Sequence, residues 1–323
     1  MTPPWRWFAW GLCACAASVL PGTRAQVMAP SQASAIAPRA WPWLGVTTDD
    51  PNVDTAAQIE ALSALPRRPA LRVVLDEGTP PSSYVDSVRR LAAVADVMAL
   101  PVDSSWMKDI DAKRAGERAH RYLRALGDAA TIWEVGNEVN GNWVGRDPVP
   151  KIEAMFDVAR AHGKKTALTF FHENPATPGH DMLPWIDTHI PPGHRLRAGL
   201  DYVLVSYYED ENGGHRLTQR EIDAIFTGLA RRFPAAKVAF GEFGWGREIP
   251  RDAATRAELI GRFHSYTTLE PAFVGGGFYW HFRQTMSPKS KPDHALLVKA
   301  LSPRAPPFTA PSAPASPAGA SPR

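Results

Sequence analysis

The 323-residue chain is 44% hydrophobic and 21% charged, with a formal net charge of +3. That balance excludes a chain too polar to bury a core. The basic residues stand singly or in pairs, as at Arg67-Arg68 and Arg231-Arg232, which argues against a nucleic-acid groove.

The first 25 residues read as an export signal. Arg6 supplies a short positive region, Trp7 to Leu20 is too short an apolar stretch to span a bilayer comfortably, and Thr23-Arg24-Ala25 offers a cleavage site. A second reading makes Leu12-Cys13-Ala14-Cys15 a lipobox, with Cys15 the lipidated residue. Either way the expected destination is outside the cytoplasm, secreted or periplasmic. Both cysteines lie in this segment, so a cleaved chain would have no thiol for catalysis or metal binding. Residues 26–40, rich in Ala, Ser and Pro, read as a linker.

From Trp43 the pattern alternates. Strands are expected at Trp43–Thr47, Ala70–Leu75, Val97–Val102, Thr131–Val135, Thr166–Phe171, Tyr202–Ser206, Lys237–Phe240 and Phe273–Trp280. Helices are expected at Asp54–Leu65 with Asp54 as N-cap, and at Ser82–Ala95, Asp111–Leu126, Pro150–His162, Thr218–Phe233 and Arg251–Thr268. An irregular region containing Trp185 follows the fifth strand. Residues 302–323 are almost entirely Pro, Ala, Ser and Arg and read as a disordered tail.

Apolar runs separated by amphipathic helices imply a parallel sheet covered on both faces. Eight such units within 41–301 match a single (β/α)8 TIM barrel, an α/β fold with a usual size of about 250 residues. An open doubly wound sheet would call for a Gly-rich phosphate loop after the first strand. "GVTTDDPN" at Gly45 to Asn52 has none.

Barrel chemistry sits at the C-terminal ends of the strands. Those ends offer Asp76, Glu77, Asp103, Asn137, Glu138, His172, Glu173, Tyr207, Tyr208, Glu209, Asp210, Glu242, Trp280 and His281. Two acids follow buried runs among permissive residues: Glu138 in "TIWEVGNEVNG" and Glu242 in "VAFGEFGWG". Each alone could be a structural ion pair. Together, on strands four and seven, they can converge over the barrel mouth. Two carboxyls about 5 Å apart are what a retaining glycosidase uses, one as nucleophile and one as proton donor.

"GNE" on strand four and "GEFGW" on strand seven resemble the clan A glycoside hydrolases, a (β/α)8 retaining group that includes many cellulases, mannanases, xylosidases and galactanases. The resemblance covers Trp43 to Phe282. It implies Glu138 as acid/base, Asn137 as the group holding the substrate 2-hydroxyl, and Glu242 as nucleophile. "SYYED" is similar to the clan's strand-six aromatic pair, which implies Tyr208, in preference to Tyr207, on the nucleophile. Trp280 in "FYWHF" takes the place of the strand-eight sugar platform. Arg72 in "ALRVV" lies where many members place an arginine near the nucleophile, or is an ordinary buried ion pair. Departures exist: Val139 follows Glu138 where many members have proline, and Val102, Asp103 and Ser206 stand where some have histidine. The family within the clan is therefore left open.

Trp106, Trp143, Trp185 and Trp245 are further platform candidates, with Trp143 and Trp245 closest to the two acidic strands. Loop acids could line sugar subsites. "FHENP" at Phe171 lacks the second histidine of a zinc-protease helix, and the ten histidines show no ligand spacing, so neither metal nor cofactor is expected. The expected activity is retaining hydrolysis of a β-glycoside, endo-acting on a polysaccharide or oligosaccharide, by a monomer with no membrane span. A non-catalytic carbohydrate-binding or polysaccharide-assembly barrel, or a transglycosylase using the same residues, are the alternatives.

Overall fold

The computed structural model describes residues 43–302. The expected export signal at 1–25 with Cys15, the linker at 26–40 and the tail beyond Ser302 lie outside the described residues. Eight parallel strands close into a barrel in the order β1-β2-β3-β4-β5-β6-β7-β8. They are β1 Trp43–Thr48, β2 Ala70–Val74, β3 Asp96–Leu100, β4 Ile132–Glu134, β5 Lys165–Phe171, β6 Tyr202–Tyr207, β7 Lys237–Phe243 and β8 Phe273–Tyr279. The helices are α1 Thr55–Ser63, α2 Val85–Ala92, α3 Ala112–Leu126, α4 Pro148–Ala161, α5 Met182–His189, α6 Arg195–Gly199, α7 Gln219–Arg232, α8 Ala253–Phe263 and α9 His294–Leu301. This is the single TIM barrel that the alternation of apolar runs implies. Among the described residues no helix is long and apolar enough to cross a membrane.

Successive strand residues face opposite sides of the sheet, and both sides are buried. Outward residues such as Leu71, Val73, Leu168 and Phe170 pack with Leu62, Val88, Leu91 and Ile186 of the helices. Inward residues form a separate apolar layer of Ala70, Met98, Ile132, Ala167, Leu204, Ala239, Val274 and Phe278, joined by Trp43 and Tyr202. Every strand contributes to it, so the barrel has a packed floor. Two residues further along, on the same inward face, the side chains turn polar: Arg72 above Ala70, Glu134 above Ile132, Thr169 above Ala167 and Ser206 above Leu204. The site stands on that step.

Several boundaries differ from expectation, each for a local reason. Asp54 precedes α1 but does not cap it through its side chain, because its backbone is left-handed with φ 49°. The Gln58 amide instead donates to the Asp50 and Val53 carbonyls, at 3.0 and 2.6 Å. Asp111 and Thr218 do cap α3 and α7, and Thr218 forms a capping box with Glu221. The region holding Trp185 is helical rather than irregular, as α5 and α6. Strand β7 runs to Phe243, so Glu242 lies inside it. Strand β4 stops at Glu134, four residues before Glu138.

Candidate active site

Glu242 points inward because β7 carries an extra residue. Val205 of β6 pairs with Phe240, but Tyr207 pairs with Phe243, so three steps on β7 match two on β6. The bulge puts both Gly241 and Glu242 on the barrel side. A Cβ on Gly241 would lie 3.0 Å from both Leu204 Cβ and Thr169 Cγ2, so the bulge is tight there. The Glu242 carboxyl, 5% exposed as a residue, is held on both oxygens. Arg72 Nη1 donates to Oε2 and the Tyr208 hydroxyl donates to Oε1. Tyr207 faces away, its hydroxyl donating to the His215 carbonyl at 2.8 Å.

Glu138 sits in the loop after β4, which continues to pair with β5 after the strand has formally ended. Val135 N donates to Ala167 O at 2.8 Å, Thr169 N to Gly136 O at 3.0 Å and Val139 N to Thr169 O at 3.3 Å. Asn140 fastens the far end: its side-chain amide accepts from Phe171 N at 2.8 Å and donates to the Phe171 and His180 carbonyls at 2.8 and 2.9 Å. Only glycine fits at 136, where a Cβ would lie 2.6 Å from Val139 Cγ1 and 2.8 Å from Leu168 Cδ1. Held at both ends, the loop forces Glu138 into left-handed backbone at φ 49°. That conformation costs a non-glycine residue on the order of 1–3 kcal/mol and persists only where its surroundings impose it.

The two carboxyls have unlike surroundings. Glu138 accepts one hydrogen bond, from Ser104 Oγ at 3.1 Å. Burial, followed by the negative charges of Glu242 and Asp103, holds its pKa well above the ordinary carboxyl value. Burial also pushes Glu242 up, to about 7, but the Arg72 charge and the Tyr208 hydroxyl oppose it. Of the two, Glu242 therefore ionises first and Glu138 keeps its proton. The Tyr208 hydroxyl, pushed far up by burial and by both acids, stays a donor. Arg72 loses hydration by burial, yet Glu134 and Glu242 together hold its guanidinium above its usual range.

Asn137, 2% exposed, donates from Nδ2 to Asp103 Oδ2 at 3.4 Å, while its Oδ1 is buried without a protein partner. Trp280 is half-buried beside Arg72, whose guanidinium carbon lies 5.8 Å from the ring centroid. A cleft of ≈ 330 Å³ opens next to Asp103 and Trp280 and is lined also by Asp49, Asp76, Glu77 and Trp106. Its wall is set by Arg118 of α3. That guanidinium donates to the Pro101, Leu75, Asp76 and Glu77 carbonyls and lies 4.7 Å from the Trp106 ring centroid.

The other sequence candidates divide. Trp143 is 37% exposed and packs edge-on against Phe171 at the rim. Trp245 is 7% exposed and packed against His281 and Tyr279, which leaves little ring face for a sugar. Trp185 belongs to the core, edge-on to Phe170 and stacked on His189. Glu209 is tied to Arg262, and Asp210 accepts from the backbone of Gly246 and Arg247, so both brace loops. Among the described residues no group of three or more His, Cys, Asp or Glu side chains could hold a metal ion.

Glu134, Ser104 and Arg118 are residues of the site that had no place among the sequence candidates. Glu134 was detectable. It lies two residues after Ile132 on the inward face, and a buried acid there requires a buried cation, of which Arg72 is the one inside a strand of "ALRVV" type. Ser104 and Arg118 depend on how loops and α3 dock, which strand periodicity does not encode.

No protein-family model matches the sequence, and no curated protein matches it. Solved structures do match the fold. A GH128 (subgroup I) endo-β-1,3-glucanase from Amycolatopsis mediterranei, in complex with laminarihexaose, is 11% identical; the match covers 80% of this chain and 99% of that one, with a TM-score of 0.50. An endo-β-mannanase/endo-β-glucanase from Prevotella bryantii is 14% identical, over 80% of this chain and 48% of that one, with a TM-score of 0.52. The chain thus shares a (β/α)8 barrel fold with these two glycoside hydrolases. At such identities the likeness is one of fold.

Proposed function

We propose that the protein is a retaining β-glycoside hydrolase, with Glu242 as nucleophile and Glu138 as acid/base. The observation that carries this is the unequal treatment of two buried carboxyls close enough to feel each other's charge. Glu242 is bonded by a cation and a phenol; Glu138 has a single serine hydroxyl and stands near other negative charge. One is built to be an anion and the other to keep a proton.

In the first step Glu242 attacks the anomeric carbon. The bond from that carbon to the glycosidic oxygen breaks, and the oxygen takes the Glu138 proton. In the second step Glu138 removes a proton from water, the water oxygen bonds the anomeric carbon, and the bond to Glu242 breaks. The unpartnered Asn137 Oδ1 is an acceptor suited to a sugar hydroxyl, and Trp280 offers an apolar surface for the ring. The cleft beyond Asp103 fits further sugar residues of an oligomer or polymer, which favours endo action. Export from the cytoplasm remains the expectation of the N-terminal sequence.

The test is reducing-sugar release from β-glucans, mannans, xylans, galactans and bacterial exopolysaccharides by wild type, Glu242→Gln and Glu138→Gln. Glu242→Gln should be inactive on whatever wild type cleaves. Glu138→Gln should lose about 10²–10⁴-fold on natural glycosides, the usual share of a general acid. Its kcat/KM should fall far less on a dinitrophenyl glycoside, whose leaving group needs no proton, although kcat still loses the base of the second step. Equal rates for wild type and Glu242→Gln would remove the mechanism.

A further inference from the structure

The site contains a third buried carboxylate that the double displacement does not use. Glu134 is 0% exposed and sits at the end of β4, facing into the barrel. It receives Arg72 on both oxygens: Nε donates to Oε2 at 2.6 Å and Nη2 to Oε1 at 3.2 Å. Oε1 also accepts from Thr169 Oγ1 at 2.5 Å. The remaining guanidinium nitrogen, Nη1, is the one on Glu242.

Charge alone gives no reason for this. The negative charge of Glu134 works against ionisation of Glu242 and shares its nearest cation. Nor is stability a sufficient reason, because a buried ion pair often does no better than apolar residues of the same shape. Geometry supplies one. Arginine has a long flexible stem, and this guanidinium has other acceptors within electrostatic reach: it acts on Glu138 and is acted on by Asp103. A guanidinium that swung toward Glu138 would favour loss of the proton that Glu138 has to deliver.

Resting on the reading of Glu242 as nucleophile, we infer that Glu134 is a positioning residue: it grips two nitrogens of Arg72 so that the third stays on Glu242 and away from Glu138. The division of labour between the two catalytic acids is thereby fixed from inside the barrel, by a side chain that never meets the substrate. Thr169 on β5 is the second anchor of the grip.

Glu134→Asp separates charge from reach, since it keeps the carboxylate but shortens it by one methylene. Glu134→Gln keeps the size. Because both Glu134 oxygens accept from Arg72, either orientation of the amide sets an N–H group against a guanidinium N–H. Thr169→Val is the milder variant should either of these fold poorly. The probes are 2,4-dinitrophenyl β-glycosides of glucose, mannose, galactose and xylose and of their β-1,3- and β-1,4-linked disaccharides. Their departure needs no proton, so the acidic limb of kcat/KM reads Glu242.

Glu134→Asp is expected to lower kcat by about 10–100-fold, the scale of a misplaced catalytic group, with KM within about twofold. Its acidic limb should move to higher pH by about one unit, a tenfold loss on that limb. Glu134→Gln should lose similar kcat with a smaller limb shift, because the charge it removes acts in the opposite direction. Thr169→Val should shift the limb the same way, by less. A Glu134→Asp enzyme with the wild-type rate and limb, whatever its Tm, would reduce Glu134 to a structural residue and overturn the inference while the glycosidase reading stood. A limb shifted down in all three variants would overturn it too, by making Glu134 a mere competitor for Arg72. If Glu242→Gln cleaves the probes as fast as wild type, or wild type cleaves neither probes nor polymers, the glycosidase reading itself fails and the inference falls with it.

Discussion

Arg72 and Arg195 are two of the arginines in this barrel that each bridge two carboxylates. Arg72 joins Glu134 and Glu242 in the barrel interior, with side-chain exposures of 1%, 0% and 7%. Arg195, at the start of α6, joins Glu153 and Asp157 of α4, with exposures of 45%, 29% and 58%. The connectivity is the same and the setting is opposite. On the surface, water replaces any bond that is lost, and the pair gains little over hydration. In the barrel the three side chains are almost fully shielded from solvent, so each charge depends on the next and a change at one end is felt at the other. The interior chain can tune chemistry because burial leaves little solvent to buffer it.

Cutting each bridge at its arginine sharpens the contrast. Arg72→Met leaves two carboxyls in the barrel without their cation. Breaking a buried pair in this way costs about 3–5 kcal/mol, and a large downward shift of the urea midpoint at neutral pH is expected. The variant should regain part of that loss at low pH, where Glu134 and Glu242 can take protons. A midpoint unmoved at neutral pH would mean that the interior chain is no more coupled than a surface pair.

The pH dependence of stability gives the next largest effect, with a definite sign. The folded-state pKa of Glu242 lies above its unfolded value, near 7 against 4.5. The folded protein therefore holds this proton more tightly than the unfolded chain does. The stability linked to it is fully present below about 4.5 and is lost as pH rises through about 7. Glu138, also raised, adds a loss of the same sign. Unfolding curves across pH 4 to 8 should show wild type losing more stability than Glu242→Gln. Parallel curves would show that the carboxyl ionises without strain. In turnover the same pair should give a bell whose two limbs belong to the coupled acids together, with its maximum at or above neutrality.

How much of this the sequence disclosed follows from periodicity. All eight strands were legible because each is a run apolar on both faces, and Glu242 and Glu138 because an acid follows such a run. Helix α5 was hidden by Pro184 within "MLPWIDTH" and by the Pro- and Gly-rich stretch before it. Helix α9, "HALLVKAL", was lost beside the proline-rich end of the chain. The bulge that turns Glu242 inward and the left-handed backbone of Glu138 were not legible, since both arise from neighbouring strands and loops closing on the motif. Glu134 was legible in principle: its two-residue offset from Ile132 gives its face. Its signal is masked in "TIWEVGNE" by Glu138, a second acid four residues on that stands among more permissive residues.

The smallest effect expected is at Arg195. Removing it with Arg195→Ala breaks contacts to Glu153 at 2.7 Å and to both oxygens of Asp157. By distance these are as good as the bonds that Arg72 makes. Yet Asp157 is more than half exposed, and Glu153 also has His194 at 3.6 Å. Both carboxylates can turn to water when the arginine is gone. The cost should be about 0–1 kcal/mol, diminished further by salt, with catalysis unaltered. The guanidinium also covers the Phe156 ring at 5.6 Å, so whatever loss persists in high salt measures packing and not charge. A salt-insensitive loss as large as that of Arg72→Met would break the comparison, because it would show that α4 and α6 depend on this bridge as the barrel interior depends on its own.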